Sequence, residues 1–288
     1  MDLMGSPQLA LGHKAESASV AHRERRVSDA GVKTGGFLVV NADDWGRDPV
    51  TTDRTLECWE RGAVSSVSGM VFMEDSERAA ALARQKGIET GLHLNFTTQF
   101  SASNCPAGLR QKQEEVGRYL LRHRYAQILF HPGLMVFFEY LVAAQIDEFR
   151  RIYGSEPARL DGHHHMHLCA NVILQRLLPR GTIVRRNFSF ELGKTGLANR
   201  LYRKLSDMAL SRRHLMTDFF FSLPPIEPAS RLRRIYSLAG QSVVELETHP
   251  VVPEEYQYLA GGEIFRQMGE ASIAPPSAIL RLSTGDYL

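Results

Sequence analysis

The stretch FLVVNADD (37–44) places a short, wholly apolar run, FLVV, two residues before a pair of aspartates. Its first four residues are apolar and include two valines, a pattern typical of strands that are buried on both faces of a parallel sheet. Similar segments recur along the chain at 63–73, 88–96, 158–163, 182–186, 217–222 and 242–250. The stretch is therefore predicted to be the first strand of a parallel α/β sheet.

Segments with helical spacing separate these strands. SERAAALARQKG (76–87) is rich in alanine and ends in glycine, and LANRLYRKLSDM (197–208) has apolar side chains on one face. Further helices are predicted at 51–62, 111–129, 134–153, 169–178 and 229–238. Alternation of this kind over about 250 residues predicts a (β/α) barrel, either complete or with fewer than eight strands. A doubly wound open sheet is the alternative, although no GxGxxG motif supports its dinucleotide-binding version.

The composition bounds the classes of function. The 288 residues are 43% hydrophobic and 23% charged, with a formal net charge of only +2, so the strong positive field of a nucleic-acid-binding protein is absent. Three scattered cysteines and the lack of an 18-residue apolar run predict a cytoplasmic protein with reduced thiols. Residues 1–35 are polar, lack a signal-peptide core and are predicted to be a flexible extension, followed by a single catalytic domain over 36–288.

Polar residues of the types used in catalysis fall at the ends of the predicted strands. These residues are Asp43, Asp44, His93, the segment DGHHHMH (161–167), Arg185 and His249. In parallel α/β folds the carboxyl ends of the strands share one face, where active sites form. An aspartate and two histidines can hold a divalent ion there, while a second carboxylate and a further histidine serve as base and acid.

Each of these residues also has an ordinary structural interpretation. A pair of aspartates after a strand is usually a turn or a helix cap, and a lone buried histidine is usually a structural residue. Four histidines within 163–167 are harder to explain without metal or acid–base chemistry. The set is therefore stronger evidence than any one of its members.

Four motifs carry a resemblance to a known family. They are NADDWG (41–46), GLHLN (91–95), LDGHHHMH (160–167) and ETHP (247–250). In these motifs and in their order, the sequence resembles the YdjC-like carbohydrate deacetylases, which include chitooligosaccharide deacetylases and hopanoid-cluster relatives. The resemblance covers roughly residues 36–288 and implies the barrel-like fold that this family shares with polysaccharide deacetylases.

The resemblance also implies roles for single residues. Asp44, His93 and His163 would hold one divalent metal ion, Zn²⁺ or Mg²⁺, Asp43 would be the catalytic base and His249 the general acid. Arg185 would orient the base or the substrate. The implied reaction is removal of the N-acetyl group from an amino sugar in an oligosaccharide, a glycolipid or a nucleotide-linked sugar.

Two further sets of residues are candidates for substrate binding. The family usually has phenylalanine where Trp45 stands, and this tryptophan is expected either to pack at the barrel mouth or to stack on a sugar ring. If 163–167 is extended, His165 and His167 lie on the same side as His163 and either support the metal ligands or contact substrate, while His164 turns away into the structure. Gly162 and Val251 also depart from the family pattern.

The stretch 185–234 is strongly basic, with 11 lysines and arginines against 4 acidic residues. It is either a solvated helix face or a surface for an anionic partner, such as a nucleotide- or lipid-linked sugar or a membrane. Two other functions stay open: a different barrel hydrolase, such as a phosphoesterase or an amidohydrolase, and a non-catalytic sugar-binding protein. A homodimer is among the expectations for the oligomeric state.

Overall fold

A computed structural model describes residues 35–123, 125–189 and 197–284, without the side chains of residues 197–199 and 282–284. The predicted flexible extension, apart from Gly35, lies outside the described residues. No helix in the described ranges combines the length and the apolar character needed to cross a membrane.

The described residues form one parallel sheet of seven strands. The strands are β1 (Phe37–Trp45), β2 (Ser66–Gly69), β3 (Thr90–Leu94), β4 (Arg159–Gly162), β5 (Ile183–Val184), β6 (Phe219–Ser222) and β7 (Val243–Thr248). Their order is β5-β4-β3-β2-β1-β7-β6, and every neighbouring pair is parallel. Strands β1 to β5 lie side by side in chain order, and β7 followed by β6 lies on the other edge of β1, as in a barrel. The doubly wound alternative is therefore wrong.

Contacts across the sheet show that it curls into a barrel. Arg185, which follows β5, lies 2.6 Å from Asp43 on β1, although three strands separate β5 from β1 in the sheet. The two end strands also approach each other, because Ile183 on β5 forms a parallel bridge with Leu215, just before β6. The prediction of a (β/α) barrel with fewer than eight strands is confirmed.

Helices connect the strands and cover the outside of the sheet. They are α1 (Pro49–Glu60), α2 (Ser76–Lys86), α3 (Ala107–Leu121), α4 (Met135–Tyr153), α5 (Ala170–Leu174), α6 (Leu197–Ser211), α7 (Ala229–Ala239), α8 (Pro253–Ala260), α9 (Glu263–Gln267) and α10 (Ala278–Thr284). Asp48 caps α1 by accepting a hydrogen bond from the Thr51 backbone N–H at 2.8 Å. Gly87 and Gly154 end α2 and α4 in the left-handed conformation.

The sequence predicted these helices with shifted ends. The helix predicted over 111–129 begins earlier and ends at Leu121, and the one predicted over 169–178 ends at Leu174. The strand predicted over 63–73 is confined to Ser66–Gly69, and the short helices after β7 were not predicted.

The period-two pattern of β1 divides its side chains between two environments. Phe37 and Val39 pack with Ile183 and Val243 in a small cluster inside the barrel. Leu38, Val40 and Ala42 point the other way, into the large core between the sheet and its helices. Burial of both faces explains why this strand is apolar at every position from 37 to 40.

Candidate active site

Above this small apolar cluster, the inside of the barrel is polar and almost entirely buried. The inward-facing residues are Asn41, Asp43, Ser66, Ser68, His93, Arg159, Asp161, Arg185, Glu245 and Glu247. Arg159 donates to Asn41 Oδ1 at 2.6 Å and forms an ion pair with Glu245 on the opposite wall. Because buried charges are tolerated only when they are paired and hydrogen-bonded, this network fixes the positions of the carboxylates.

A bulge at the end of β1 brings both aspartates of the first motif into the site. In a regular strand, Asp43 and Asp44 would point to opposite faces. The register with β2 shifts between Ala42 and Trp45, and Asp44 adopts a left-handed φ of 64°. Aspartate tolerates this conformation better than most residues, so the second carboxylate is re-aimed toward the barrel mouth.

Asp44, His93 and His163 form a group that fits a divalent cation. One ligand atom from each lies within 4.8 Å of the others, and Asp44 Oδ1 is 2.9 Å from His163 Nδ1 and 3.4 Å from His93 Nε2. Asp44 Oδ1 is buried, and despite these short distances no donor among the described residues is aligned with it for a hydrogen bond. A buried carboxylate oxygen that faces two ring nitrogens is a donor set typical of Zn²⁺ and related ions.

Asp161 supports this group from behind. Its Oδ1 lies 2.7 Å from His93 Nδ1, so the ring donates from Nδ1 and presents Nε2 to Asp44. Burial alone would lower the pKa of His93, but Asp43 and Asp161 raise that pKa to about 10. The raised pKa favours the doubly protonated imidazolium of His93 when no cation is bound, and a cation bound there would displace the proton on Nε2.

Arg185 holds the carboxylate of Asp43 through two hydrogen bonds. Its Nη1 and Nη2 each donate to an oxygen of Asp43 at 2.6 Å, and its Nε donates to Glu245 at 2.6 Å. Burial would raise the pKa of Asp43, but Arg185 and His93 hold that pKa well below its usual range. Asp43 is therefore an ionised carboxylate in a fixed orientation.

His249 lies at the open side of the site, beyond the end of β7. Its side chain is 30% exposed, and one ligand atom each from Asp43, Glu247 and His249 lies within 4.8 Å of the others. Glu255 accepts a hydrogen bond from the His249 backbone N–H at 2.8 Å, which fixes the chain there. Burial, followed by the charge of Asp43, raises the pKa of Glu247 well above its usual value, which favours its protonated form.

The histidine-rich segment is a turn and not an extended strand. His163–Leu168 forms a 3₁₀-like turn in which His164 and His165 have left-handed φ values of 53° and 56°. The expectation that alternate histidines share one side is therefore wrong. His164 does not turn into the structure: it is exposed and lies 3.0 Å from Thr97 Oγ1.

Two of the predicted substrate-binding residues have no exposed surface. His167 is 0% exposed and donates from Nε2 to the backbone carbonyl of Arg185 at 3.0 Å. Trp45 is also 0% exposed and packs in the core outside the sheet, because the bulge leaves it on the helix side of β1. Neither side chain therefore presents surface to a ligand in this structure, and their predicted contacts with a sugar stay predictions.

The other two predicted substrate-binding residues, Arg185 and His165, lie in different positions. Arg185 is only 1% exposed and its guanidinium is engaged with Asp43, so its predicted contact with the base is present and a contact with substrate stays a prediction. His165 remains near the open side, with Nε2 3.7 Å from Glu247 and its ring 4.6 Å from that of Phe188. Its role in substrate binding stays a prediction.

Sequence reasoning missed the acidic residues that line the barrel. Glu245 and Glu247 alternate with Val244 and Leu246 on β7, and this period-two pattern ending at His249 is the signal that could have placed them inside. Asp161 belongs to one of the four motifs, but its hydrogen bond with His93 joins two neighbouring strands. The motif alone could not predict that contact. The structure brings Asp44, His93 and His163 together as the sequence predicted; their roles stay predictions.

Fold and site together define a class: α/β-barrel proteins with a candidate metal centre at the carboxyl ends of the strands. The model of the YdjC-like protein family matches residues 37–271. The chain belongs to this family.

Curated relatives include the carbohydrate deacetylases of Homo sapiens and Mus musculus. They are 35% and 34% identical over 137 and 152 residues, which is 47% of this chain in each case and 42% and 44% of the relatives. A chitooligosaccharide deacetylase from Serratia marcescens is 34% identical over 137 residues, covering 46% of this chain and 51% of the relative. The chain spans about half the length of the curated relatives it matches.

A solved structure from Enterococcus faecalis V583, described as that of a candidate cellobiose-phosphate cleavage protein, has the same fold. It superposes with a TM-score of 0.60 at 16% sequence identity and covers 85% of this chain and 99% of that chain. At this identity the likeness concerns the fold alone.

Proposed function

We propose that this protein is a metal-dependent hydrolase that removes the acetyl group from an N-acetylated amino sugar in an oligosaccharide, a glycolipid or a nucleotide-linked sugar. The observation that carries the proposal is the convergence of Asp44, His93 and His163 beside the ionised, fixed carboxylate of Asp43. The relatives named carbohydrate and chitooligosaccharide deacetylases support the choice of substrate.

Asp44, His93 and His163 would hold one divalent ion, either Zn²⁺ or Mg²⁺. A bound ion would polarise the acetyl carbonyl and lower the pKa of water in the site. Two ring nitrogens and one carboxylate oxygen favour Zn²⁺, whereas a wetter coordination shell would admit Mg²⁺. Asp161 and Arg47 hold this group in place, since Arg47 Nη1 donates to Asp44 Oδ2 at 2.6 Å.

Asp43 would accept the proton of the attacking water. It is ionised at neutral pH because Arg185 and His93 lower its pKa against the effect of burial. Arg185 also fixes the direction in which Asp43 presents its oxygens, so it is a positioning residue. His249, on the open side, would donate a proton to the departing sugar nitrogen.

The test is acetate release from a panel of N-acetylglucosamine-containing saccharides, with and without a chelator. Asp43→Asn should keep its metal but lose turnover by about 10²–10⁴-fold, because the amide cannot accept the proton. Asp53→Asn, an exposed substitution of the same type outside the site, should leave turnover unchanged.

Full activity of Asp43→Asn would contradict the assigned role. Hydrolysis of a phosphate ester such as p-nitrophenyl phosphate, without release of acetate from the saccharides, would identify a phosphoesterase. Sugar binding without any hydrolysis would identify a binding protein.

We further propose that the protein acts in the cytoplasm. All three cysteines, Cys58, Cys105 and Cys169, are free and buried, as is usual for proteins of reducing compartments. Fractionation of cells that express the full chain tests this location, and recovery in an oxidising compartment would contradict it.

A further inference from the structure

A large groove lies beside the candidate active site, between α6, β6 and α7. Its volume is about 1040 Å³, just above the range of small-molecule sites, which is about 300–1,000 Å³. Its apolar lining comes from Leu201, Phe219, Phe221, Ile235 and Leu238. Leu201 and Leu238 are 60% and 37% exposed, so this apolar surface is open to solvent.

Basic side chains surround this apolar surface. They are Arg186, Arg200, Arg203, Lys204, Arg231 and Arg234. The two acidic residues of the lining already accept hydrogen bonds: Asp207 accepts from Arg186, which also lines the groove, and from Asn187, and Asp218 accepts from the Val243 backbone N–H at 2.8 Å. The described lining therefore presents an excess of positive charge to a ligand.

The groove adjoins the candidate active site through stacked rings. Phe188 lines the groove and stacks on Phe220 with a centroid distance of 4.5 Å. Phe220 in turn lies 5.0 Å from the guanidinium carbon of Arg185, and His165 packs against Phe188 at 4.6 Å. A ligand whose apolar part fills the groove would have its other end beside His165, at the open side of the site.

We propose that this groove binds the carrier of the substrate, and that the carrier is an anionic lipid. Its hydrocarbon part packs on the apolar surface, and Lys204 and Arg234 contact its phosphate, since both cations line the groove and are exposed. The claim that this lipid carries the sugar rests on the proposed function. The groove itself is tested by binding alone.

The probe is dihexanoyl phosphatidylglycerol, a short-chain lipid, titrated into the full chain by calorimetry. Dihexanoyl phosphatidylcholine and inorganic phosphate serve as the neutral and the purely ionic comparisons. The anionic lipid should bind at least about tenfold more tightly than either, because only this probe combines acyl chains with a net negative charge, whereas the choline group of phosphatidylcholine offsets its phosphate and inorganic phosphate has no apolar part. Equal binding of the three probes, or no binding, overturns the proposal.

Matched variants locate the binding. The double variant Lys204→Glu, Arg234→Glu should weaken binding by at least about tenfold. Arg233→Glu, on α7 but outside the groove lining, should not. In the same way, Leu238→Ser should weaken binding, whereas Leu205→Ser, which is 52% exposed and outside the lining, should not. Equal weakening by the control variants would show a general surface effect and would overturn the proposal.

Acetate release is measured on the same variants to separate the two proposals. Lipid binding without acetate release supports the groove and contradicts the proposed function. Acetate release without lipid binding supports the function and overturns the groove.

Discussion

Replacing Asp161 with asparagine removes one charge behind His93 while keeping the shape of the side chain. Asp161 Oδ1 lies 2.7 Å from His93 Nδ1, and its Oδ2 accepts from Ser68 at 2.6 Å. An amide oxygen can still accept from Nδ1, so the ring keeps its direction, but the ring nitrogen facing Asp44 becomes less basic. Loss of such a partner weakens metal binding by about 10–100-fold, or about 1.4–2.7 kcal/mol.

The assay is a competition titration of Zn²⁺ against a chelator of known affinity, using the folded full chain. The matched control is Glu245→Gln, which removes another buried carboxylate. Like Asp161, whose Oδ2 lies 3.1 Å from both arginines, Glu245 contacts Arg185 and Arg159, but it does not contact His93. Glu245→Gln should bind Zn²⁺ nearly as the wild type does. The reasoning is refuted if Asp161→Asn binds Zn²⁺ as tightly as the wild type, or if the control is weakened equally.

Three further predictions concern other parts of the molecule. His249→Gln should lower acetate release by about 10²–10⁴-fold with metal affinity unchanged, because only the proton donor is lost; equal loss of metal would contradict this role. Burial lowers the pKa of His167 to about 4, which is below the pKa of a histidine in the unfolded state. As the pH falls, the unfolded state therefore binds a proton at this residue before the folded state does. The free energy of unfolding should therefore fall by about 3 kcal/mol between pH 6.5 and 4 because of this residue, and denaturation of His167→Gln should lack that part of the decrease. Gly36→Ala should destabilise the protein by at least about 1–3 kcal/mol, because a Cβ there would lie 2.6 Å from the Ala239 carbonyl oxygen, whereas Gly35→Ala meets nothing within 4 Å and is the control in the same denaturation experiment.

The sequence was sufficient to predict the fold and the end of the barrel that carries the site. Alternating apolar strands and helices define a parallel sheet, and the carboxyl-end rule places Asp43, His93 and His249 on one face. Once a barrel is assumed, the alternation of strands and helices also gives the strand order and the pairing of β1 with β7.

Side-chain directions were not predictable where the backbone is irregular. Period-two alternation cannot place Asp43 and Asp44 on the same side, and the bulge that does so depends on the register with β2. The same limit applies to His165 and His167, because two consecutive left-handed residues reset the alternation. Trp45 was misplaced for the same reason, since a one-residue shift moves a side chain to the other face of a strand.

The pairing of β1 with β7 has a consequence for how the chain is made. β1 is hydrogen-bonded to β2 on one side, and among the described residues its other edge pairs with residues 243–248. During synthesis, therefore, this edge of β1 lacks its partner until about 200 further residues have left the ribosome. The unpaired backbone edge of an apolar strand is a template for wrong strand pairing, so the nascent protein depends on being kept from its neighbours until β7 arrives.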